Sequence, residues 1–241
     1  TTFLRRSLLL ILLSFYVLFA SAQELVFKDP VLISGVAGQD GAIYRFSKVN
    51  NNVDALVTIS GRSSSLVSLV NLDMTFTGHG KAFQPQVTCN NNTTPAGISD
   101  WWMEFKISFV NTGSNTPTIV DSFKVTALDV DGNNDKINEW VSFYNLKTFL
   151  FESNTQLASS NIMEPVVGVN TLVGRKFEGP VQNYLDVDTN ATRVMVTNSY
   201  QATNNFRIRT GGHSTGVSSA ADRMYSFWFK SFSYQSPVQY T

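Results

Sequence analysis

Trp101-Trp-Met-Glu-Phe-Lys-Ile-Ser-Phe-Val110 is the stretch that decides the fold class. Met103, Phe105, Ile107 and Phe109 alternate with Trp102, Glu104, Lys106 and Ser108. Successive side chains of an extended chain point to opposite faces, so a period of two predicts a strand with one buried face. The same period continues outward from this segment. Phe206 and Ile208 alternate with Arg207 and Arg209. Residues 192–198 and 223–234 read alike, the second with a phase slip near Ser231 that suggests a bulge. Further strands are expected near 24–33, 54–60, 66–72, 118–129, 139–144, 148–152 and 175–178. Clusters of Gly, Asn, Asp, Ser and Thr at 38–41, 50–52, 78–80, 90–97, 111–116, 131–134 and 211–216 predict the turns between them. No segment carries a helical stripe over three turns. Many short strands joined by polar turns predict an all-β chain, a single antiparallel β-sandwich of jelly-roll type.

The first residues predict export. Arg5 and Arg6 precede an apolar run over residues 8–19, and Ala20, Ser21 and Ala22 follow. A basic start, a short apolar stretch and a small-residue cleavage site together read as a signal peptide over residues 1–22. The run is shorter than the ~20 apolar residues of a spanning helix. Thr1 in place of Met is expected to mark a truncated N-terminus. Residues 23–241 then read as one secreted or cell-surface domain, with no later stretch suited to membrane insertion. Once Arg5 and Arg6 are removed, 16 basic residues face 18 acidic ones, a formal net charge of −2. No basic stripe favours nucleic acid and no polybasic segment favours a membrane surface. Cys89 is the one cysteine, so core packing, alone or with a metal, must replace intrachain disulfides.

The segment with the most chemistry is Asp129-Val-Asp-Gly-Asn-Asn-Asp-Lys-Ile-Asn-Glu139. Asp129 and Asp131 lie two apart, which on an extended chain puts both carboxylates on one side. Gly132 permits a sharp turn, Asn133, Asn134 and Asp135 add loop oxygens, and Glu139 returns at the next strand. Calcium takes six to eight hard oxygens at flexible geometry, so Asp129, Asp131, Asn133, Asp135 and Glu139 are the candidate metal ligands. The register does not fit an EF-hand: counted from Asp129, the glycine position is Asn134 and the twelfth residue is Trp140. Two other readings stay open, a solvated turn, since Asp, Asn and Gly cap local backbone, and a catalytic carboxylate cluster. Asp54 is a more distant candidate ligand.

Six segments in order, 53–59, 82–85, 105–110, 127–132, 138–140 and 223–227, resemble an uncharacterised β-rich domain of exported Bacteroidetes-type surface and secreted proteins. The resemblance spans nearly all of residues 23–241. It implies an extracellular or cell-surface module, often beside adhesion-like domains, and it implies no activity.

Other constellations are weaker. His79 and His213 lie in Gly-His-Gly and Gly-His-Ser contexts and read as exposed loop residues, with no cysteine cluster beside them for zinc and no Gly-x-Ser-x-Gly elbow in the chain. Asn91, Asn92 and Asn190 begin Asn-x-Thr sequons. Trp102 and Trp228 fall in the outward register and are candidate ligand-binding residues, since an exposed aromatic ring can stack on the apolar face of a sugar. The sequence therefore predicts a secreted, non-catalytic binding or adhesion module with a structural calcium ion and a polysaccharide or surface protein as partner. The alternatives are a carbohydrate-active enzyme resembling glycoside hydrolases and a purely structural surface or matrix protein.

Overall fold

The alternation in residues 101–109 sends Trp101, Met103, Phe105, Ile107 and Phe109 inward, each at most 2% exposed. They form the inner face of β6 (Ser99–Asn111), the longest strand among the described residues. A computed structural model describes residues 22–75, 80–89, 99–184, 187–217 and 222–241 of the protein. Residues 1–21 of the expected signal peptide, His79, Asn91 and Asn92 lie outside the described residues.

Strand β6 sits near the middle of an eight-stranded sheet. On one side lie β3 (Val53–Arg62), β2 (Ile43–Asn50) and β1 (Val31–Ser34). On the other lie β13 (Asn205–Ser214), β8 (Ile137–Tyr144), β11 (Val169–Glu178) and β10 (Ala158–Val166). A five-stranded sheet orders β15 (Ser226–Trp228), β7 (Val120–Leu128), β12 (Val196–Thr203), β9 (Thr148–Glu152) and β16 (Pro237–Tyr240). Three short strands, β14 (Arg223–Met224), β5 (Gln86–Cys89) and β4 (Val67–Asn71), make a third sheet. All pairings between these strands are antiparallel, and the sheets do not close into a barrel. The chain is the all-β sandwich that the period of two predicts.

Phenylalanine fills the space between the sheets. Phe123 of β7 stacks on Tyr200 of β12 at 5.1 Å and meets Phe109 of β6 edge-on at 5.2 Å, which ties the five-stranded sheet to the eight-stranded one. Phe83 meets Phe105 edge-on at 5.3 Å, and Phe27 stacks on Phe229 at 4.2 Å. Burying each such ring contributes about 1.5–3 kcal/mol. Cys89 belongs to this core, and burial pushes its thiol pKa up, away from the reactive thiolate.

Several local expectations need correction. Residues 24–33 do not make one strand: Gln23 and Leu25 form isolated bridges, and only β1 is regular. Asp29 has φ +52° and Pro30 follows it, which breaks the extended run. Residues 192–198 open with a short 3-10 helix, Thr192–Val194, before β12 begins. In residues 223–234 a first change comes at Tyr225, where the chain passes from the three-stranded to the five-stranded sheet, and the strand ends before Ser231, where the Lys230 N–H donates to the Trp228 carbonyl at 2.9 Å. Strands β2, β5, β10 and β16 lie outside the expected set. In β2 the alternation of buried Tyr44 and Phe46 with Arg45 and Ser47 is legible, but β5 and β16 are four residues long and β10 is mostly exposed.

The expected turn at 211–216 is strand as far as Ser214, so His213 lies on β13 and not in a loop. Gly211 and Gly212 stand there because ring systems occupy the space a side chain would take. A Cβ on Gly211 would lie 2.7 Å from the Trp140 ring, and one on Gly212 would lie 2.5 Å from the Trp101 ring. The outer edge of β1 carries Val31, Leu32 and Ile33 at 39–60% exposure, a row of apolar side chains on a strand edge with no partner strand among the described residues.

Candidate functional site

Strand β7 ends at Leu128, and Asp129 turns the chain with φ +59°, a left-handed conformation that Asp and Asn adopt more readily than bulkier residues. Asp129 Oδ2 accepts the Val187 N–H at 3.0 Å, and Asp131 Oδ2 accepts the Tyr184 N–H at 2.5 Å. Both carboxylates thus hold the backbone on either side of residues 185–186. Glu139 stands on the inward face of β8, opposite Gly212. Its N–H donates to the Asp131 carbonyl at 2.7 Å, which closes the loop.

Arg223 of β14 joins these groups. Its Nε donates to Glu139 Oε1, and its Nη2 donates to Asp131 Oδ1 at 3.3 Å and to the Gly132 carbonyl at 3.0 Å. Gly132 serves close approach rather than a positive φ, since a Cβ there would lie 2.3 Å from the Val181 carbonyl oxygen. The left-handed residues of the loop are Asp129 and Asn134.

Charge and burial conflict in this cluster. Asp131 and Glu139 are 1% exposed and Asp129 is 7% exposed, and Arg223 is paired with Asp131 and Glu139. Desolvation, with the charges of Glu139 and Asp129 adding to it, raises the Asp131 pKa to about 8. Desolvation raises Glu139 to about 7, with Arg223 opposing and Asp129 adding. Burial disfavours the charged form of Arg223, but the Glu139 carboxylate outweighs it and holds the guanidinium protonated. Glu139 Oε2 has no hydrogen-bond partner among the described residues.

The five residues expected as ligands do not all converge. Asp129, Asp131 and Glu139 are all buried, and the charges of Asp129 and Glu139 act on Asp131. Asn133 turns its side-chain oxygen to the N–H groups of Asp135, Lys136 and Ile137, each at 3.0 Å, which is a local turn cap. Asp135 is exposed. Asp54 is committed elsewhere, to Arg45 Nη1 at 2.7 Å and to the N–H groups of Lys48 and Gly113. Among the described residues, no three His, Cys, Asp or Glu side chains are grouped as a bound metal would group them. Arg223, which lies 84 positions from Glu139, and Tyr184 are the members that sequence spacing does not reveal. The signal for Arg223 is slight, a lone arginine opening an aromatic strand.

The two outward tryptophans occupy different sheets. Trp102, on β6, is half-buried beneath the Arg209 guanidinium, 4.2 Å from the ring centroid. Arg209 also donates to Glu104 Oε2 at 2.8 Å. Beside it, Arg207 lies 4.1 Å over Tyr144, and Lys176 lies 4.6 Å over Trp140. The outer face of the eight-stranded sheet is therefore a layer of aromatic rings capped by their own cations, a favourable pairing for ring quadrupoles. Trp228, on β15, carries Lys230 Nζ at 3.8 Å and meets Phe232 edge-on at 5.3 Å. The two rings do not form one platform. His213 pairs its Nδ1 with Asp100 Oδ2 at 3.2 Å.

No protein-family model matches the chain, and no curated protein matches it.

Proposed function

We propose that the protein is an exported, non-catalytic binding module whose carboxylate cluster holds a calcium ion in a structural role. Export rests on the leader-like pattern of Arg5, Arg6, the apolar run and Ala20-Ser-Ala22. The observation that carries the cation reading is one of charge. Three carboxylates, Asp129, Asp131 and Glu139, are buried together, one guanidinium pairs with two of them, Asp131 and Glu139, and Glu139 Oε2 has no hydrogen-bond partner among the described residues. Buried charges require pairing, and an oxygen-only set suits a hard divalent cation. Asp129, Asp131 and Glu139 would supply the oxygens that hold the ion, in place of the Arg223 contacts to Asp131 and Glu139. Asp131 and Asp129 tie the loop to the backbone of Tyr184 and Val187.

The same cluster disfavours the enzymatic alternative. Its carboxylates crowd one buried joint clasped by an arginine, whereas glycoside hydrolysis sets two carboxylates across an open cleft.

Thermal unfolding in millimolar calcium and in excess chelator tests the cation. At a hundred times Kd, a ligand of the folded state adds about 2.7 kcal/mol. That amounts to a rise in Tm of roughly 5–10 °C for a domain of this size. Asp131→Asn is expected to abolish the rise. Superimposed curves for the wild type sink the calcium assignment.

A further inference from the structure

A cleft of about 390 Å³ opens between the end of β9, the segment around the 3-10 helix and residues 235–236. Its size falls in the range of ligand sites, about 300–1,000 Å³. Glu152, Asn154, Tyr184, Asn190, Arg193 and Gln235 supply most of its polar lining. The walls are built. Glu152, 4% exposed, accepts the N–H of Gln235 at 3.0 Å and of Ser236 at 2.5 Å. The Arg193 carbonyl accepts the Gln156 N–H at 2.9 Å and the Thr155 hydroxyl at 3.0 Å. The Tyr184 ring packs against the main core, and its hydroxyl bonds Gln156 Oε1.

Arg193 is the anomaly in this cleft. Arg45, Arg62, Arg207, Arg209 and Arg223 are in ion pairs, and Arg175 lies over the Phe149 ring. The exposed Arg193 guanidinium makes no close ion pair and no hydrogen bond among the described residues; its charge acts on the Glu152 carboxylate of the same cleft, which the N–H groups of Ser236 and Gln235 already hold. A guanidinium presents a planar fork of donors that matches a carboxylate. Around it, Asn154, Asn190 and Gln235 offer amides that both donate and accept, the pairing that sugar hydroxyls require.

We infer that this cleft binds a uronic acid residue of an acidic polysaccharide, with the sugar carboxylate on Arg193 and its hydroxyls on the amides of Asn154, Asn190 and Gln235. The inference rests on the reading of the protein as a binding module and gives that reading a ligand class and a site. The carboxylate cluster takes part as a positioning element. Asp131 holds the backbone N–H of Tyr184, so the joint at the end of β7 fixes one wall of the cleft.

Isothermal titration calorimetry on the full chain tests this with trisaccharides of galacturonate and of glucuronate, and with their methyl esters, which keep the hydroxyls and remove the charge. Saturable binding of at least one free acid is expected. Esterification of that sugar, or Arg193→Gln, is expected to weaken binding about tenfold, the loss of one charge-assisted hydrogen-bonded contact. The Tm of Arg193→Gln is expected within about 2 °C of the wild type, because its side chain makes no contact that the fold needs. Equal binding of acid and ester, undiminished binding by a folded Arg193→Gln, or no saturable binding of either acid overturns the inference. The calcium measurement uses no glycan, so the two readings fail separately.

Discussion

Arg223→Met removes the cation that holds Asp131 and Glu139. The methionine keeps much of the aliphatic stem but none of the donors to Glu139 Oε1, Asp131 Oδ1 and the Gly132 carbonyl. Glu139, 1% exposed and with its second oxygen already unpartnered among the described residues, would lose its side-chain hydrogen bond. Removing one member of a buried ion pair costs about 3–5 kcal/mol, because the remaining charge stays desolvated. Total stability for a domain is about 5–15 kcal/mol. At about 2–4 °C per kcal/mol, Tm is expected to fall by roughly 6–20 °C. The assay is thermal and urea unfolding in chelator, so that no cation substitutes for the guanidinium. Glu139→Gln combined with Arg223→Met should cost less than the sum of the single changes, with a coupling of about 1 kcal/mol or more. A single variant within about 2 °C of the wild type, or strict additivity in the double variant, would refute the view of Arg223 as the clasp of this joint.

Two more outcomes follow from other buried positions. Desolvation, opposed by the Gln84 N–H and reinforced by the charge of Asp29, raises the Asp73 pKa to about 7. Its unfolded value is about 3.9, so between about pH 4 and 7 the folded state holds the proton that the unfolded state has lost. The stabilisation from this group is complete below about pH 4 and declines as pH rises toward 7. Asp73→Asn should flatten that limb in urea midpoints measured against pH, and an unchanged slope would remove Asp73 as its source. Gly212→Ala forces a Cβ to 2.5 Å from Trp101 and is expected to cost about 1–3 kcal/mol by overpacking. Gly80→Ala, with nothing within 4 Å of the added carbon among the described residues, should stay within about 0.5 kcal/mol, and equal losses at both positions would contradict the steric explanation.

Much of the fold is legible in the chain because a strand of a two-layer sandwich must alternate. Residues 101–110 show this most clearly, and the structure buries the inward set that the alternation selects. Strands without the pattern escape detection for physical reasons. Strand β10 is an edge strand in which seven of the nine residues are exposed, all but Ile162 and Glu164, so no apolar face is required of it. Strand β5 is four residues long, too short for a period to emerge. The two glycines at 211 and 212 read locally as a turn, yet they continue β13 because Trp140 and Trp101 fill the space above and below them.

The candidate site divides in the same way. The sequence by itself determined that Asp129, Asp131 and Glu139 bracket a polar loop at a strand end, since that information is local and lies within eleven consecutive residues. Only the tertiary structure decided which of the loop oxygens turn inward. It sends Asn133 to cap its own turn, leaves Asp135 in solvent, and brings Arg223 and the backbone of Tyr184 to the buried carboxylates. The reason is the length scale of the contacts. Turn chemistry and alternation act between near neighbours, whereas the partner of a buried charge is chosen by which strands the sheets bring together, here across 92 positions between Asp131 and Arg223.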